Sequence, residues 1–155
     1  MRERAGVKAR RTRSSRAQER PALTSSSEFL NIDLHVRSRR SLEPLLDAWP
    51  WAQAPDREPG RAPLWLVVSL RGSPKTAEQT VLQLVQLVGA LPRSARRCWN
   101  EASSRVFDIG IQAGLTPISF EDVQLREESL RAIVRLRGRV LVTVYSQAHR
   151  EVMHT

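Results

Sequence analysis

Asp33 and His35 stand two apart in a run of alternating apolar and polar residues, Leu30 to Arg37. In an extended strand that spacing puts both side chains on one face, with Cα atoms about 7 Å apart. An aspartate beside a histidine orients the imidazole and raises its basicity, as a general base requires. Asp108, Glu121 and Asp122 add carboxylates. Acid pairs on one face can hold a divalent cation or share a hydrolysis. Asp108 lies on the polar side of another alternating run, so it can share a sheet face with Asp33. Together these residues outline a hydrolase or transferase reading. No nucleophile stands at a spacing that completes it. The competing reading takes Asn31, Asp33, His35 and Arg37 as the solvated face of an antiparallel strand.

Cys98 follows Arg96 and Arg97, which would lower a thiol pKa if they pointed at it. Beside Trp99 in a helical stretch, it reads instead as a small buried side chain. It is the one cysteine, so no intramolecular disulfide forms. With three histidines (His35, His149 and His154) it supplies no usual structural zinc set. The seven glycines show neither a dinucleotide fingerprint nor a Walker A spacing. No metal and no cofactor is expected.

The elements that position these groups follow from periodicity. Leu30, Ile32, Leu34 and Val36 alternate with polar residues and predict a half-buried strand over 29–37. Ser41 caps a short helix carrying Leu42, Leu45, Leu46 and Trp49, with Pro44 in its first turn. Residues 50–63 hold four prolines and read as a loop. A second strand runs from Leu64 to Leu70, apolar on much of both sides. Ser73 and Pro74 are the expected cap and first residue of a helix with a Val81, Leu84, Val85 and Val88 stripe. Pro92 ends or kinks it, and Ser94 to Ala102 continues as a short helix. Val106 to Gln112 is a third strand, and Ile118 to Leu125 a short edge strand. Glu127 to Arg137 is a helix, with Leu130, Ile133, Val134 and Arg137 inward and Gly138 as its C-terminal cap. Arg139 to Tyr145 is the last strand.

This order predicts an α+β fold: a two-layer sandwich with a four- or five-stranded, mainly antiparallel sheet and three helices on one face. A parallel doubly wound sheet is the competitor, but its strands should be apolar on both faces.

On that fold the outer sheet face becomes a candidate partner surface. Trp65 and Val67 from the second strand point there, as do Leu141 and Tyr145 from the last. Asn31, Asp33, His35 and Arg37 border them. An aromatic patch with a polar rim is the usual anatomy of a binding surface. The same face could stack unpaired bases. Alternatively, the proline-rich loop with Trp49 and Trp51 folds over it and covers it.

The charge is distributed unevenly. The chain of 155 residues carries 25 Lys+Arg and 16 Asp+Glu, a net charge of +9. The first twenty residues hold eight basic and two acidic side chains, +6 of that total. With so few large apolar residues, 1–27 is expected to be a disordered basic tail. Its Arg10, Arg11, Arg13 and Arg16 are nucleic-acid candidates through phosphate neutralisation. A targeting peptide, a solubilising tail and a misplaced start are the alternatives. Arg outnumbers Lys 23 to 2 along the whole chain, as a GC-rich coding sequence would give. Residues 28–147 form the single expected domain, and 148–155 a frayed end. No run of 18 apolar residues exists, so no helix should span a membrane.

The segment Phe107-Asp108-Ile109-Gly110-Ile111-Gln112-Ala113-Gly114 is followed by Phe120 to Leu125, Leu130-Arg131-Ala132-Ile133-Val134 and Val140 to Tyr145. Over residues 105–146 this resembles the C-terminal half of a bacterial family of small, uncharacterised α+β domains. The resemblance implies a bacterial cytoplasmic domain without known catalysis, and it brings no active-site residues. The resulting expectation is a non-catalytic protein-binding domain, with an immunity or antitoxin-like role as one form. It would bind a protein partner or a second copy of itself. Nucleic-acid binding through the tail is the first alternative, and a hydrolase using the outer face is the second.

Overall fold

A computed structural model describes residues 27–70, 72, 76–114 and 123–146. The expected tail, the frayed end and most of the predicted 118–125 strand lie outside these residues. The described elements are β1 (Glu28–Arg37), α1 (Glu43–Ala48), β2 (Trp65–Val68), α2 (Ala77–Gly89), α3 (Arg93–Glu101), β3 (Ser104–Gln112), α4 (Glu127–Arg135) and β4 (Arg139–Tyr145). The fold is α+β. Four strands make one open mixed sheet in the order β2-β1-β3-β4. β1 runs antiparallel to both β2 and β3, while β3 and β4 are parallel, joined by a crossover that contains α4.

Strand alternation builds the core. Ile32, Leu34 and Val36 of β1, Leu66 and Val68 of β2, and Phe107 and Ile109 of β3 are buried on the helix-bearing face. They meet Val81, Leu84 and Val88 of α2 and Ala95 and Trp99 of α3. Leu30, expected inward, is exposed. A register shift between Phe29 and Asn31 makes it the extra residue of a bulge, which breaks the period of two.

Four helices are present among the described residues, one more than expected. Pro92 separates α2 from α3 outright: it lacks the amide that would continue the helix, and it stands as the N-cap of α3. The Arg96 guanidinium folds back onto the Val88 and Gly89 carbonyls, satisfying the freed end of α2. α2 starts later than predicted, because the Thr76 hydroxyl accepts from the Gln79 amide at 3.2 Å and caps it. Ser73 and Pro74 lie outside the described residues. The N-cap of α1 is Leu42, without a side-chain cap, and not the expected Ser41, which stands one residue earlier with its hydroxyl accepting from the Glu43 amide at 3.2 Å.

α4 ends in a Schellman arrangement. The Arg137 amide bonds the Val134 carbonyl, and the Gly138 amide bonds Ile133 at 2.9 Å. The left-handed residue is Arg137, at φ 57°, and not the glycine beside it. Gly138 is constrained by space instead: a Cβ there would lie 2.7 Å from the Phe107 ring. A side chain in the left-handed region costs about 1 kcal/mol relative to glycine, so Arg137→Gly is expected to stabilise the chain by about that amount. Chemical unfolding measures it, and a loss of stability would contradict the assignment.

α4 has no side-chain cap of its own. Glu78 of α2 supplies one across the fold, accepting from the Arg126 amide at 3.0 Å and from the Ser129 hydroxyl at 2.7 Å. The Arg126 amide, and then the Ser129 hydroxyl, hold the Glu78 carboxyl below its ordinary value. A depressed carboxylate adds stability that is full above its ordinary pKa and is lost as pH falls through the folded value. Glu78→Gln should therefore flatten the acid limb of the stability curve below about pH 4.5. An acid limb unchanged by the substitution would contradict this link.

The rotation of α4 departs from expectation. Ser129, Ala132 and Ile133 face inward, whereas Leu130 and Val134 are exposed. The small Ser129 and Ala132 permit close approach, and the bond to Glu78 fixes which side turns in. Among the described residues no helix is long and apolar enough to cross a membrane.

Candidate functional site

The sheet register places the candidate residues on one map. On the outer face, Trp65 of β2 stands beside Arg37, and Val67 beside His35. Asp33 pairs across with Asp108, His35 with Val106, and Asn31 with Gly110. Asp108 then neighbours Leu141, Gly110 neighbours Thr143, and Gln112 neighbours Tyr145. All seven partner candidates therefore share the expected face: Trp65, Val67, Leu141, Tyr145, Asp33, His35 and Arg37.

They do not form one patch. β1 and β3 are the central strands, so the polar residues occupy the middle and the aromatics the margins. Trp65 and Tyr145 are three strands apart, about 14 Å across the sheet, and about eight residues or 26 Å along it. They sit at opposite corners, roughly 30 Å apart by that geometry. The expectation of an aromatic centre with a polar rim is thus reversed. The reason is strand order, which alternation alone does not specify.

The Trp65 corner is occupied by its own chain. The His35 ring stacks on the indole at 6.2 Å between centroids, and the Arg37 guanidinium lies 4.5 Å from the ring centre. Trp65 is half-buried, and its indole N–H has no hydrogen-bond partner among the described residues. Trp51 of the proline-rich loop packs, partly buried, against the core. Trp49 turns into the core and meets Trp99 edge-on at 6.3 Å. Gln53 instead bridges Val67 through two backbone hydrogen bonds of 2.8 Å. Asp56 accepts from the Leu64 and Trp65 amides. The loop thereby closes the free edge of β2.

In the polar middle, both carboxylates have hydroxyl donors. Asp33 accepts from Ser69 at 2.6 Å and from Asn31 at 3.1 Å. Asp108 accepts from Thr143 at 2.7 Å. His35 Nε2 is 3.8 Å from Asp108, beyond hydrogen-bond reach. The two acids and the histidine are therefore neighbours, as their spacing implied. Among the described residues no hydrogen bond joins His35 to a serine, threonine or cysteine. Glu121 and Asp122 lie outside those residues. No group of three or more His, Cys, Asp or Glu among the described residues is placed to hold a metal ion. Cys98 is half-buried and donates to the Ser41 carbonyl. Burial, aided by Glu101, pushes its thiol pKa up, away from a reactive thiolate.

The β4 corner is different. β4 pairs with β3 on one side only, and its other edge is open among the described residues. Val140, Val142 and Val144 align with Phe107, Ile109 and Ile111, and so continue the core face. Yet they are 42%, 52% and 61% exposed. Leu141 and Tyr145 are exposed on the opposite face. Leu130 and Val134 of α4 add exposed apolar surface on the helix-bearing side. The alternation of 139–145 marked this strand, but nothing in its pattern marked it as an edge.

One buried charge was not anticipated. Arg105 is 5% exposed on the core face of β3, and its guanidinium donates to the Trp99 and Asn100 carbonyls. It closes the C-terminal end of α3 and lies over the Trp99 ring. Burial lowers its pKa from the ordinary arginine value.

Comparison with known proteins finds no matching family model, no matching curated protein and no matching solved structure.

Proposed function

We propose that this chain is a non-catalytic protein-binding domain that docks its partner along β4. One observation carries the reading: β4 exposes apolar side chains on both faces, with a backbone edge between them that is unpaired among the described residues. Such an edge is a ready template for strand addition, with backbone hydrogen bonds for affinity and side-chain contacts for choice of partner. An immunity or antitoxin-like role in a bacterial cytoplasm is one concrete form, and that setting rests on the resemblance of residues 105–146 alone. The proposed surface keeps Leu141 and Tyr145 from the outer-face candidates. It sets aside Trp65, whose ring already has intramolecular neighbours.

The test is capture from host lysate by the whole chain and by its Leu141→Glu variant, with and without nuclease. The expected result is a nuclease-resistant, stoichiometric protein or a second copy of the chain, lost in the variant. Equal capture by both would contradict the surface.

A second reading has its own support. The first twenty residues carry two thirds of the net charge. Nucleic-acid binding through Arg10, Arg11, Arg13 and Arg16 would fall steeply with salt. Nuclease-sensitive capture that is indifferent to Leu141→Glu would favour it.

A further inference from the structure

We propose that the occupant of β4 is a second copy of this chain, resting on the reading of β4 as the docking surface. Two β4 strands pair antiparallel about Val142, joining two four-stranded sheets into one of eight strands.

The strand is suited to itself. Monomeric proteins protect edge strands with charges, prolines, bulges or covering loops. β2 has such a cover in Gln53 and the loop around it. β4 runs seven residues, Arg-Val-Leu-Val-Thr-Val-Tyr, with one charge at its first position and no proline. A two-fold axis through Val142 sets Val140 against the other copy's Val144, and Val142 against itself. On the opposite face Leu141 meets Thr143, and Arg139 meets Tyr145, a cation–aromatic pair. The two Arg139 side chains are then about 20 Å apart, so like charges do not meet.

The flanking helix agrees with the same symmetry. A crossover helix above β3 and β4 lies about 10 Å from its symmetry mate, the spacing at which helices pack. Leu130 and Val134, four residues apart and so on one flank of α4, are both exposed. The two α4 helices run antiparallel across the axis. The first turn, with Glu127 and Glu128, is set toward the other copy's last turn with Arg135, although Glu127 also pairs with Arg131 of its own helix. Acid thus meets base in both directions. A strand pair alone is small beside the roughly 1,000 Å² of a stable interface. The exposed stripe of α4 widens it.

Sedimentation equilibrium of the full chain tests this, on the wild type, Val142→Lys and Val134→Lys. Both substituted residues are more than half exposed, so neither change disturbs the core. The expected result is a wild-type mass twice that of the chain. Val142→Lys, which sets two ammonium groups on the axis, should be monomeric with an unchanged circular dichroism spectrum. Val134→Lys should weaken dimerisation at least about tenfold. A wild type that is monomeric up to its solubility limit would overturn the proposal, as would a dimer indifferent to both substitutions. If the monomeric wild type still captures a different protein that Val142→Lys releases, only the identity of the occupant is wrong. If capture is also unaffected, β4 is not the docking surface.

Discussion

Trp99→Ala is expected to lower the unfolding free energy by about 3–5 kcal/mol, the usual range for emptying a fully buried tryptophan site. Trp99 is 1% exposed and joins three parts of the fold. Its ring meets Trp49 edge-on at 6.3 Å, its other neighbour is the Arg105 guanidinium, and its carbonyl accepts from that guanidinium. Truncation leaves a cavity between α1 and α3 and loosens a buried arginine whose bonds depend on the end of α3. A domain of this size has about 5–15 kcal/mol in all, so the variant should unfold at a much lower urea concentration. A loss below about 1 kcal/mol would mean that the two tryptophans are not the centre of the helix layer.

Tyr145→Ala is expected to weaken binding on the order of 30-fold while leaving the fold unchanged, and Trp65→Ala is expected to do the reverse. Tyr145 is 44% exposed at the open edge, and a tyrosine that becomes buried on binding is a frequent hot spot, worth about 2 kcal/mol or more. Trp65 is held between His35 and Arg37 on a closed edge. Its truncation removes intramolecular packing and should lower stability by about 1–3 kcal/mol, with little change in affinity. Titration of the labelled chain with its partner, together with urea unfolding, separates the two effects. If Trp65→Ala loses binding and Tyr145→Ala keeps it, the docking surface lies at the wrong corner of the sheet.

The period of a segment reports which residues share a face, and that much was legible here. β1 and β4 appear where alternation places them, α2 turns its Val81, Leu84 and Val88 inward as helical spacing requires, and Pro92 breaks the helix through its missing amide. What period does not report is the neighbour that each face meets. Alternation put Trp65 and Tyr145 on the same side of the sheet, correctly. Only strand order, set by pairings between distant segments, moves them to opposite corners. The helical spacing of Leu130, Ile133 and Val134 was equally real. A hydrogen bond from Ser129 to Glu78, 51 residues away, decides which side of α4 turns in. The bulge at Leu30 and the burial of Arg105 likewise depend on partners remote in sequence. Asp33, His35 and Asp108 were legible as neighbours. The hydroxyl partners of the two acids, Ser69 just after β2 and Thr143 of β4, come from opposite margins of the sheet, which sequence spacing could not bring together.

Amide hydrogen exchange of the full chain across a range of concentrations tests most directly whether β4 is a free edge that takes up another strand. In dilute solution the outward amides of residues 139–145 should exchange quickly. They should slow as concentration rises, while β2, closed by its own loop, stays unchanged. Exchange in 139–145 that is equally slow at every dilution would mean that the chain already covers this strand. Exchange that stays fast at every concentration would mean that no second copy docks there.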